Sequence, residues 1–132
     1  MAHIVIIGGG IVGVSTAWFL AKQGVKVVLC EKGHIAGEQS GRNWGWVRVQ
    51  GRDTREIPMM LESQRIWDTL AKETGEDVGF VRRGCYFTAR SRREMASIDK
   101  WLGIAAEYGI QSRVLSAAET RKHLGDSPIS WH

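Results

Sequence analysis

Residues 3–31 of the chain read HIVIIGGGIVGVSTAWFLAKQGVKVVLCE, and this stretch carries its strongest structural signal. An apolar run at residues 4–7 precedes a glycine-rich turn, residues 11–23 carry apolar positions at helical spacing, and residues 25–29 form a second β-branched run. The order strand, turn, helix, strand predicts a βαβ unit with a parallel sheet. Continuous β-branched runs of this kind are typical of strands buried on both faces.

The glycines of the turn have a recognisable spacing. Gly8, Gly10 and Gly13 fit G-x-G-x-x-G, and Glu31 closes the second strand. Gly8 permits a tight turn, Gly10 lets a pyrophosphate approach the backbone, and Gly13 lets the helix pack close to the strand. The helix N-terminus offers N–H groups and the positive end of its dipole to a phosphate.

A carboxylate at the end of the second strand is suited to a ribose. Glu31 can accept hydrogen bonds from both ribose hydroxyls, whereas its charge would repel a 2′-phosphate. The pattern therefore predicts an adenosine dinucleotide site that disfavours NADP. The alternative is a crossover whose glycines serve packing alone, and that alternative would not require Glu31.

Composition restricts the class of protein. The chain has 132 residues, enough for one domain with a core, and a net charge of +4. Its arginines, such as Arg90, Arg92 and Arg93, alternate with acidic and polar residues, which indicates a solvated face and not a nucleic-acid site. Cys30 and Cys85 form no C-x-x-C motif and are predicted to be buried thiols in a reducing compartment.

The sequence has no pattern typical of a metal site, a signal peptide or a transmembrane segment. No Cys/His cluster has metal-ligand spacing, no basic segment precedes the apolar N-terminal run as in a signal peptide, and no stretch is long and apolar enough to span a bilayer. We therefore expect no metal site and no transmembrane segment. The predicted location is the cytoplasm, with peripheral membrane association left open.

A loop and a tryptophan-rich segment follow Glu31. Residues 32–43 lose periodicity and contain several glycines and hydrogen-bond donors, so they are either a second approach to the phosphates or a mobile surface loop. Residues 44–50, with two tryptophans around Gly45, are predicted to form a short strand. The tryptophans are either core or the wall of a site for a flat aromatic ligand, with Arg48 as a buried cation nearby.

The remainder of the chain reads as helices around a hairpin. A capping-box pattern at residues 53–56 precedes a helix from about residue 57 to residue 74. Residues 78–89 are predicted to form a β-hairpin. A helix over residues 91–108, a short strand at residues 113–115 and a last helix over residues 116–124 follow, and residues 128–132 read as a loop that leads towards another strand.

Three segments resemble a known family, the FAD-dependent amine oxidoreductases that include D-amino acid dehydrogenases, glycine and sarcosine oxidases and hydroxyproline dehydrogenases. They are IVIIGGGIVGVSTAWFLAKQGVKVVLCEKG, GEQSGRNWGWVR and REIPMMLESQRIWDTL. Lys32, Gly37, Ser40, Asn43 and Gly45 stand at the family's lysine, glycine, serine, asparagine and glycine positions after the acid. Farther along, FVRRGCYFTARS resembles the first hairpin of the family's substrate domain, and SAAETRKHL the helix that follows.

The resemblance implies an α/β fold, FAD as the cofactor and two domains. Residues 1–56 would be a Rossmann-like βαβ dinucleotide-binding unit, part of a doubly wound sheet, with the flavin-proximal loop. Residues 57–132 would be a helix–hairpin–helix portion of a substrate domain. The expected cofactor-binding residues are Gly8, Gly10, Ile11, Val12, Gly13, Glu31, Lys32, Ser40, Arg42, Asn43, Trp44, Gly45 and Arg48.

Each of these positions has an implied role. The glycines would hold the FAD pyrophosphate, Glu31 the ribose, and Lys32 would lie near the adenosine. The loop donors Ser40, Arg42 and Asn43 would approach the pyrophosphate and ribityl region. Trp44, Gly45 and Arg48 would lie close to the isoalloxazine ring, where a buried positive charge favours the anionic reduced flavin.

Three functions follow as hypotheses. The first is oxidation of the C–N bond of an amino acid or amine by hydride transfer to flavin, in a parent enzyme whose catalytic residues are unknown. The second is an NAD-dependent dehydrogenase. The third is an incomplete, inactive chain or an interaction module, because family members are much longer and only the first βαβ unit is present. The expected partners are a small amine or amino-acid substrate, and a missing C-terminal portion or second chain.

Overall fold

The computed structural model describes residues 3–125 of the chain. The chain forms two compact units, Met1–Trp46 and Val47–His132. The first unit contains strand β1 (His3–Ile7), helix α1 (Ile11–Lys22) and strand β2 (Lys26–Cys30), and the second contains helices α2 (Ile57–Thr74), α3 (Arg92–Glu107) and α4 (Ala117–Leu124). Short 3-10 turns form at Gln39–Gly41 and Thr54–Glu56.

The first unit is the predicted βαβ unit. β1 and β2 pair in parallel, from His3 opposite Lys26 to Ile7 opposite Cys30. α1 packs on one face of this sheet, so alternate strand residues are half-buried. The expectation that residues 4–7 are buried on both faces is wrong, because Ile7 is 89% exposed on the other face, which no described residue covers.

The predicted glycine stops end their helices. α1 ends at Lys22 and Gly24 follows with φ of 76°, while Gly75 caps α2 with φ of 75°. These left-handed conformations favour glycine because it has no Cβ to clash. In addition, Gly109 adopts φ of 67° just beyond α3, at the predicted position.

Polar caps set the helix starts of the second unit. Asp53 caps the 3-10 turn by accepting from the N–H of Arg55, and the regular helix α2 begins only at Ile57. Ser91 accepts from the N–H of Glu94 at the start of α3. At the start of α4, Ser116 and Glu119 form both hydrogen bonds of a capping box. The predicted caps therefore form as local hydrogen-bonded motifs.

The core of the second unit is small. Val49, Ile57, Trp101 and Ala105 form a buried cluster, in which Ile57 is fully buried. The Nε1–H of Trp101 donates to Ser112 Oγ at 3.2 Å, which satisfies the polar atom of this large ring. Five half-buried hydrophobic residues pack against the cluster, namely Met60, Leu61, Ile104, Tyr108 and Ile110.

Residues 78–89 do not form the predicted hairpin. Within residues 3–125 the structure has two strands, β1 and β2, and neither includes this segment. Side chains hold this segment against helices instead. Phe80 packs on Trp67 of α2 with ring centroids 5.6 Å apart, and Arg82 forms two hydrogen bonds with Asp68. Tyr86 packs on His123 of α4. An isolated two-stranded hairpin is only marginally stable in water, so a strand-like sequence alone does not ensure pairing.

The two shorter strand predictions are also wrong. Residues 44–50 and 113–115 are irregular in the structure. A strand pattern specifies an extended backbone but not a partner, and ladder hydrogen bonds form only where a second strand lies alongside.

The predicted burial of the two thiols is wrong as well. Cys30 and Cys85 are both free and exposed. Cys30 points to the uncovered face of the sheet at the end of β2, and Cys85 lies in the unpaired segment. Within residues 3–125, no helix has both the length and the apolar character needed to cross a membrane.

Candidate functional site

The turn between β1 and α1 requires glycine for steric reasons. Gly8 adopts φ of 109°, and its N–H donates to the carbonyl of Cys30 at 2.8 Å. A Cβ on Gly13 would lie 2.0 Å from the carbonyl oxygen of Gly8 and 3.4 Å from Ile6 Cγ2. Because no real Cβ tolerates such a contact with backbone, α1 can approach β1 this closely only with glycine at residue 13.

The N-terminus of α1 offers amide groups. The first helical N–H groups, those of Ile11, Val12 and Gly13, have no acceptor within the helix by its geometry. No acidic side chain lies in this first turn, so no carboxylate of the helix itself neutralises the positive end of its dipole. This end of the unit is therefore suited to an anion such as a phosphate.

A hydroxyl from the long loop lies on this helix end. Ser40 Oγ accepts a hydrogen bond from the N–H of Ile11 at 2.8 Å, across 29 residues of sequence. A Cβ on Gly10 would lie 3.2 Å from the same oxygen. The loop thus places a donor hydroxyl beside the helix amides, and Gly10 leaves room for it.

Glu31 lies beside the glycine turn. Its Oε2 accepts from the N–H of Gly9 at 2.6 Å, and its Oε1 accepts from the N–H of Gly33 at 2.8 Å. These two hydrogen bonds, the one from Gly9 above all, lower the pKa of Glu31 below its ordinary value. The carboxylate is therefore ionised at neutral pH.

Gly9 is a residue of the turn to which the sequence pattern assigned no role. It is buried, and a Cβ there would lie 2.6 Å from Ile35 Cδ1 and 3.1 Å from Glu31 Cβ. Its carbonyl also accepts from the N–H of Ala36 at 2.9 Å. Gly9 is a variable position in G-x-G-x-x-G, and the run of three glycines was the signal that could have marked it.

The loop after Glu31 folds over the turn. The hydrogen bond between Ala36 and Gly9 anchors its middle, and the 3-10 turn Gln39–Gly41 presents Ser40. A Cβ on Gly41 would lie 2.4 Å from the carbonyl oxygen of Ala36, so this part of the loop is tightly folded. In the structure the loop therefore lies against the glycine turn and the start of α1.

The two cations predicted for this region share one acid. Lys32 Nζ lies 3.1 Å from Glu38 Oε1, and Arg42 Nη2 lies 3.7 Å from Glu38 Oε2. All three side chains are exposed, and such ion pairs contribute little because water screens them. Both cations therefore remain available to an anionic ligand at small cost.

The loop ends in an aromatic pair. The rings of Trp44 and Trp46 meet edge to face, with centroids 6.1 Å apart and planes at 88°. Gly45 between them adopts φ of 70°. The Asn43 side chain donates from Nδ2 to the Ser40 carbonyl at 2.5 Å and accepts at Oδ1 from the Gly45 N–H at 2.6 Å.

Arg48 lies in the second unit, where its guanidinium donates to the carbonyl of Gln50 and lies beside Gly51. The same unit has a groove of about 380 Å³, which Tyr86, Trp101 and His123 help to line and which contains none of the predicted site residues. The contacts described above connect, within the first unit, the predicted site residues Gly8, Gly10, Ile11, Gly13, Glu31 (through Gly9), Ser40, Asn43 and Gly45.

Comparisons with known proteins identify the family of the chain. The family model described as "FAD dependent oxidoreductase" matches residues 3–130. Human mitochondrial sarcosine dehydrogenase is 30% identical over 122 residues, covering 91% of this chain and 13% of that protein. The mouse mitochondrial pyruvate dehydrogenase phosphatase regulatory subunit is 30% identical over 116 residues, covering 87% of this chain and 13% of that protein.

A solved structure shows the same fold. L-amino acid deaminase from Proteus vulgaris superposes with a TM-score of 0.89 at 26% identity, covering 99% of this chain and 32% of that one. The chain therefore spans about a third of that structure's length and a smaller share of the two sequence relatives. From the extent of the family match, the chain belongs to the FAD-dependent oxidoreductase family.

Proposed function

We propose that this chain holds the ADP part of FAD in an oxidoreductase that oxidises the C–N bond of an amino acid or amine. One observation carries the proposal. Ser40 on the first amide of α1 and Glu31 on the amide of Gly9 bring phosphate donors and a ribose acceptor to the same end of the first unit.

The glycine turn fits a pyrophosphate. Gly8 adopts a φ of 109° that favours glycine, a Cβ on Gly10 would narrow the space beside Ser40, and a Cβ on Gly13 would clash with the Gly8 carbonyl. The amides of Val12 and Gly13 would donate to phosphate oxygens, assisted by the helix dipole. The Ser40 hydroxyl would add a donor beside them. Lys32 and Arg42 would add positive charge by exchanging their ion pairs with Glu38 for the anionic ligand.

Glu31 fits a ribose that has free hydroxyls. Its ionised carboxylate retains acceptor capacity beyond the hydrogen bonds from Gly9 and Gly33, because two carboxylate oxygens offer about four lone-pair sites. The same charge would repel a 2′-phosphate. We therefore propose specificity for FAD over NADP, and the FAD dependence of the family disfavours the NAD alternative.

The flavin end of the site would involve the end of the loop. We propose that Trp44 and Gly45 lie near the isoalloxazine ring. When bound, FAD would supply the two-electron acceptor for oxidation of the substrate C–N bond. The names of sarcosine dehydrogenase and L-amino acid deaminase support a substrate of the amine or amino-acid class, and we assign no catalytic residue in this chain.

Calorimetric titration of the chain with ADP, FAD, NAD and NADP tests this proposal. We expect binding of ADP and FAD, with NADP weaker than either. Glu31→Gln should weaken FAD binding by about tenfold or more, because hydrogen bonds to a charged group are the stronger ones. Glu76→Gln, which removes an exposed acid beyond the end of α2, is the matched control and should leave affinity unchanged. Failure of the wild-type chain to bind either ADP or FAD would contradict the proposal.

A second candidate is a non-catalytic role, in which the chain binds another polypeptide. A relative named as a regulatory subunit favours it, as does the sheet face that leaves Val5, Ile7 and Val28 exposed. Sedimentation across a range of concentrations separates the two candidates. Concentration-dependent association without flavin retention supports the second, whereas a monomer with stoichiometric FAD supports the first.

A further inference from the structure

Asn43 uses both ends of its side-chain amide within the loop. Nδ2 donates to the Ser40 carbonyl at 2.5 Å, three residues back, and Oδ1 accepts from the Gly45 N–H at 2.6 Å, two residues ahead. The residue behind it, Ser40, also holds the first amide of α1 through its hydroxyl. A continuous line of hydrogen bonds therefore runs from the start of α1 to Gly45.

The aromatic pair at the end of this line begins with an exposed ring. Trp44 is 87% exposed, so packing contributes little to its position. Gly45 adopts φ of 70°, a conformation that brings the edge of one indole toward the face of the other, with ring centroids 6.1 Å apart. The hydrogen bond from the Gly45 N–H to Asn43 Oδ1 restrains the backbone of this turn.

We propose that Asn43 is a positioning residue that fixes the Trp44–Trp46 pair relative to Ser40. Its role is thus indirect, in place of the direct contact with the pyrophosphate and ribityl region expected from the sequence. The consequence for binding rests on the proposed function. Asn43 would hold the Trp44–Trp46 pair, beside the isoalloxazine ring, at a set distance from the Ser40 hydroxyl at the phosphate end of the site. An asparagine meets this need because one short side chain supplies a donor and an acceptor.

The two hydrogen bonds can be separated by substitution. Asn43→Ala removes both, whereas Asn43→Asp keeps an acceptor for the Gly45 N–H and loses the donor to the Ser40 carbonyl. Trp44→Phe leaves both hydrogen bonds in place and alters the aromatic pair alone. Asn43 is exposed, so none of these changes removes buried packing, and far-ultraviolet helical ellipticity verifies that each variant is folded.

Two measurements on the full chain, without ligand, test whether Asn43 positions the Trp44–Trp46 pair. The circular dichroism couplet from two coupled indoles reports the Trp44–Trp46 geometry, and amide exchange of Gly45 reports its hydrogen bond. In Asn43→Ala we expect the couplet to be lost and Gly45 exchange to accelerate by roughly fivefold to tenfold, the effect of one net hydrogen bond. Asn43→Asp should keep both signals, and Trp44→Phe should lose the couplet while Gly45 stays protected.

Titration with FAD then tests the consequence for binding. We expect both Asn43 variants to bind FAD more weakly than wild type, because each loses the hydrogen bond to the Ser40 carbonyl. A wild-type couplet together with wild-type Gly45 exchange in Asn43→Ala would overturn the inference. If the variants behave as expected but the wild-type chain binds no FAD, the positioning role stands and the proposed function fails, so the two failures are distinguishable.

Discussion

Among single residues, Gly13 is the one whose replacement the structure tolerates least. A Cβ at this position would lie 2.0 Å from the backbone oxygen of Gly8, and backbone cannot move as the end of a side chain can. We expect Gly13→Ala to destabilise the first unit by about 1–3 kcal/mol, the range for overpacking. Urea unfolding followed by far-ultraviolet circular dichroism measures the change.

Gly103 provides the control for that substitution. It also lies within a helix, α3, but a Cβ there would meet nothing within 4 Å. Gly103→Ala should stabilise the chain by about 0.5–1 kcal/mol, because alanine loses less backbone entropy than glycine in a helix. Equal effects of the two alanines would show that the close approach of α1 to β1 is not what requires glycine at residue 13.

Among the helices, α4 depends most on its cap. It has eight residues, none of them buried, and its start is held by the reciprocal hydrogen bonds of Ser116 and Glu119. We expect Ser116→Ala to destabilise this helix by about 1 kcal/mol, as for other lost N-caps. Amide exchange of the α4 residues measures the effect, and Lys122→Ala, which leaves the cap intact, is the control.

The same cap predicts how α4 responds to acid. The N–H of Ser116, the guanidinium of Arg113 and the hydroxyl of Ser116 lower the pKa of Glu119 from 4.5 to about 2. A depressed pKa means that this stabilisation is fully present above pH 4.5 and is lost as the pH falls toward 2. Amide protection of α4 should fall over that interval. Protection that persists unchanged through it would contradict the assigned role of the carboxylate.

The elements also show which local patterns specify structure. A capping box closes within four residues and a glycine stop within one turn, so α1, α2, α3 and α4 end or begin close to where the sequence placed them. A strand needs a second strand, and residues 44–50 and 78–89 have the residue types of strands without a ladder in the described part of the chain.

For the molecule as a whole, stability of the second unit rests on few residues. Its buried cluster has four members, and Ile57 is the one with no exposed surface. Ile57→Ala should destabilise the unit by about 2–5 kcal/mol, a large part of an ordinary domain's stability, whereas Ile57→Val should remove about 0.5–1.5 kcal/mol. Urea unfolding with tryptophan fluorescence checks both values. An alanine variant no less stable than the valine variant would contradict this account of the core.

The predictable part of this protein consists of features that depend on neighbouring residues. The βαβ order, the glycines of the turn, Glu31 at the end of β2 and the helix caps all follow from hydrophobic period, missing Cβ atoms and short-range hydrogen bonds. Family membership was also within reach, because the same residues carry the resemblance that the family match then confirmed.

Other features depend on residues far apart in the chain. Ser40 reaches the amide of Ile11 across 29 residues, and Glu31 reaches the amide of Gly9 across 22. The exposure of Ile7 and Cys30 and the absence of a ladder at residues 78–89, within the part that the structure describes, depend on what lies beside each segment. Local patterns set conformations, but burial and strand pairing are properties of two surfaces in contact, and folding in three dimensions selects those surfaces.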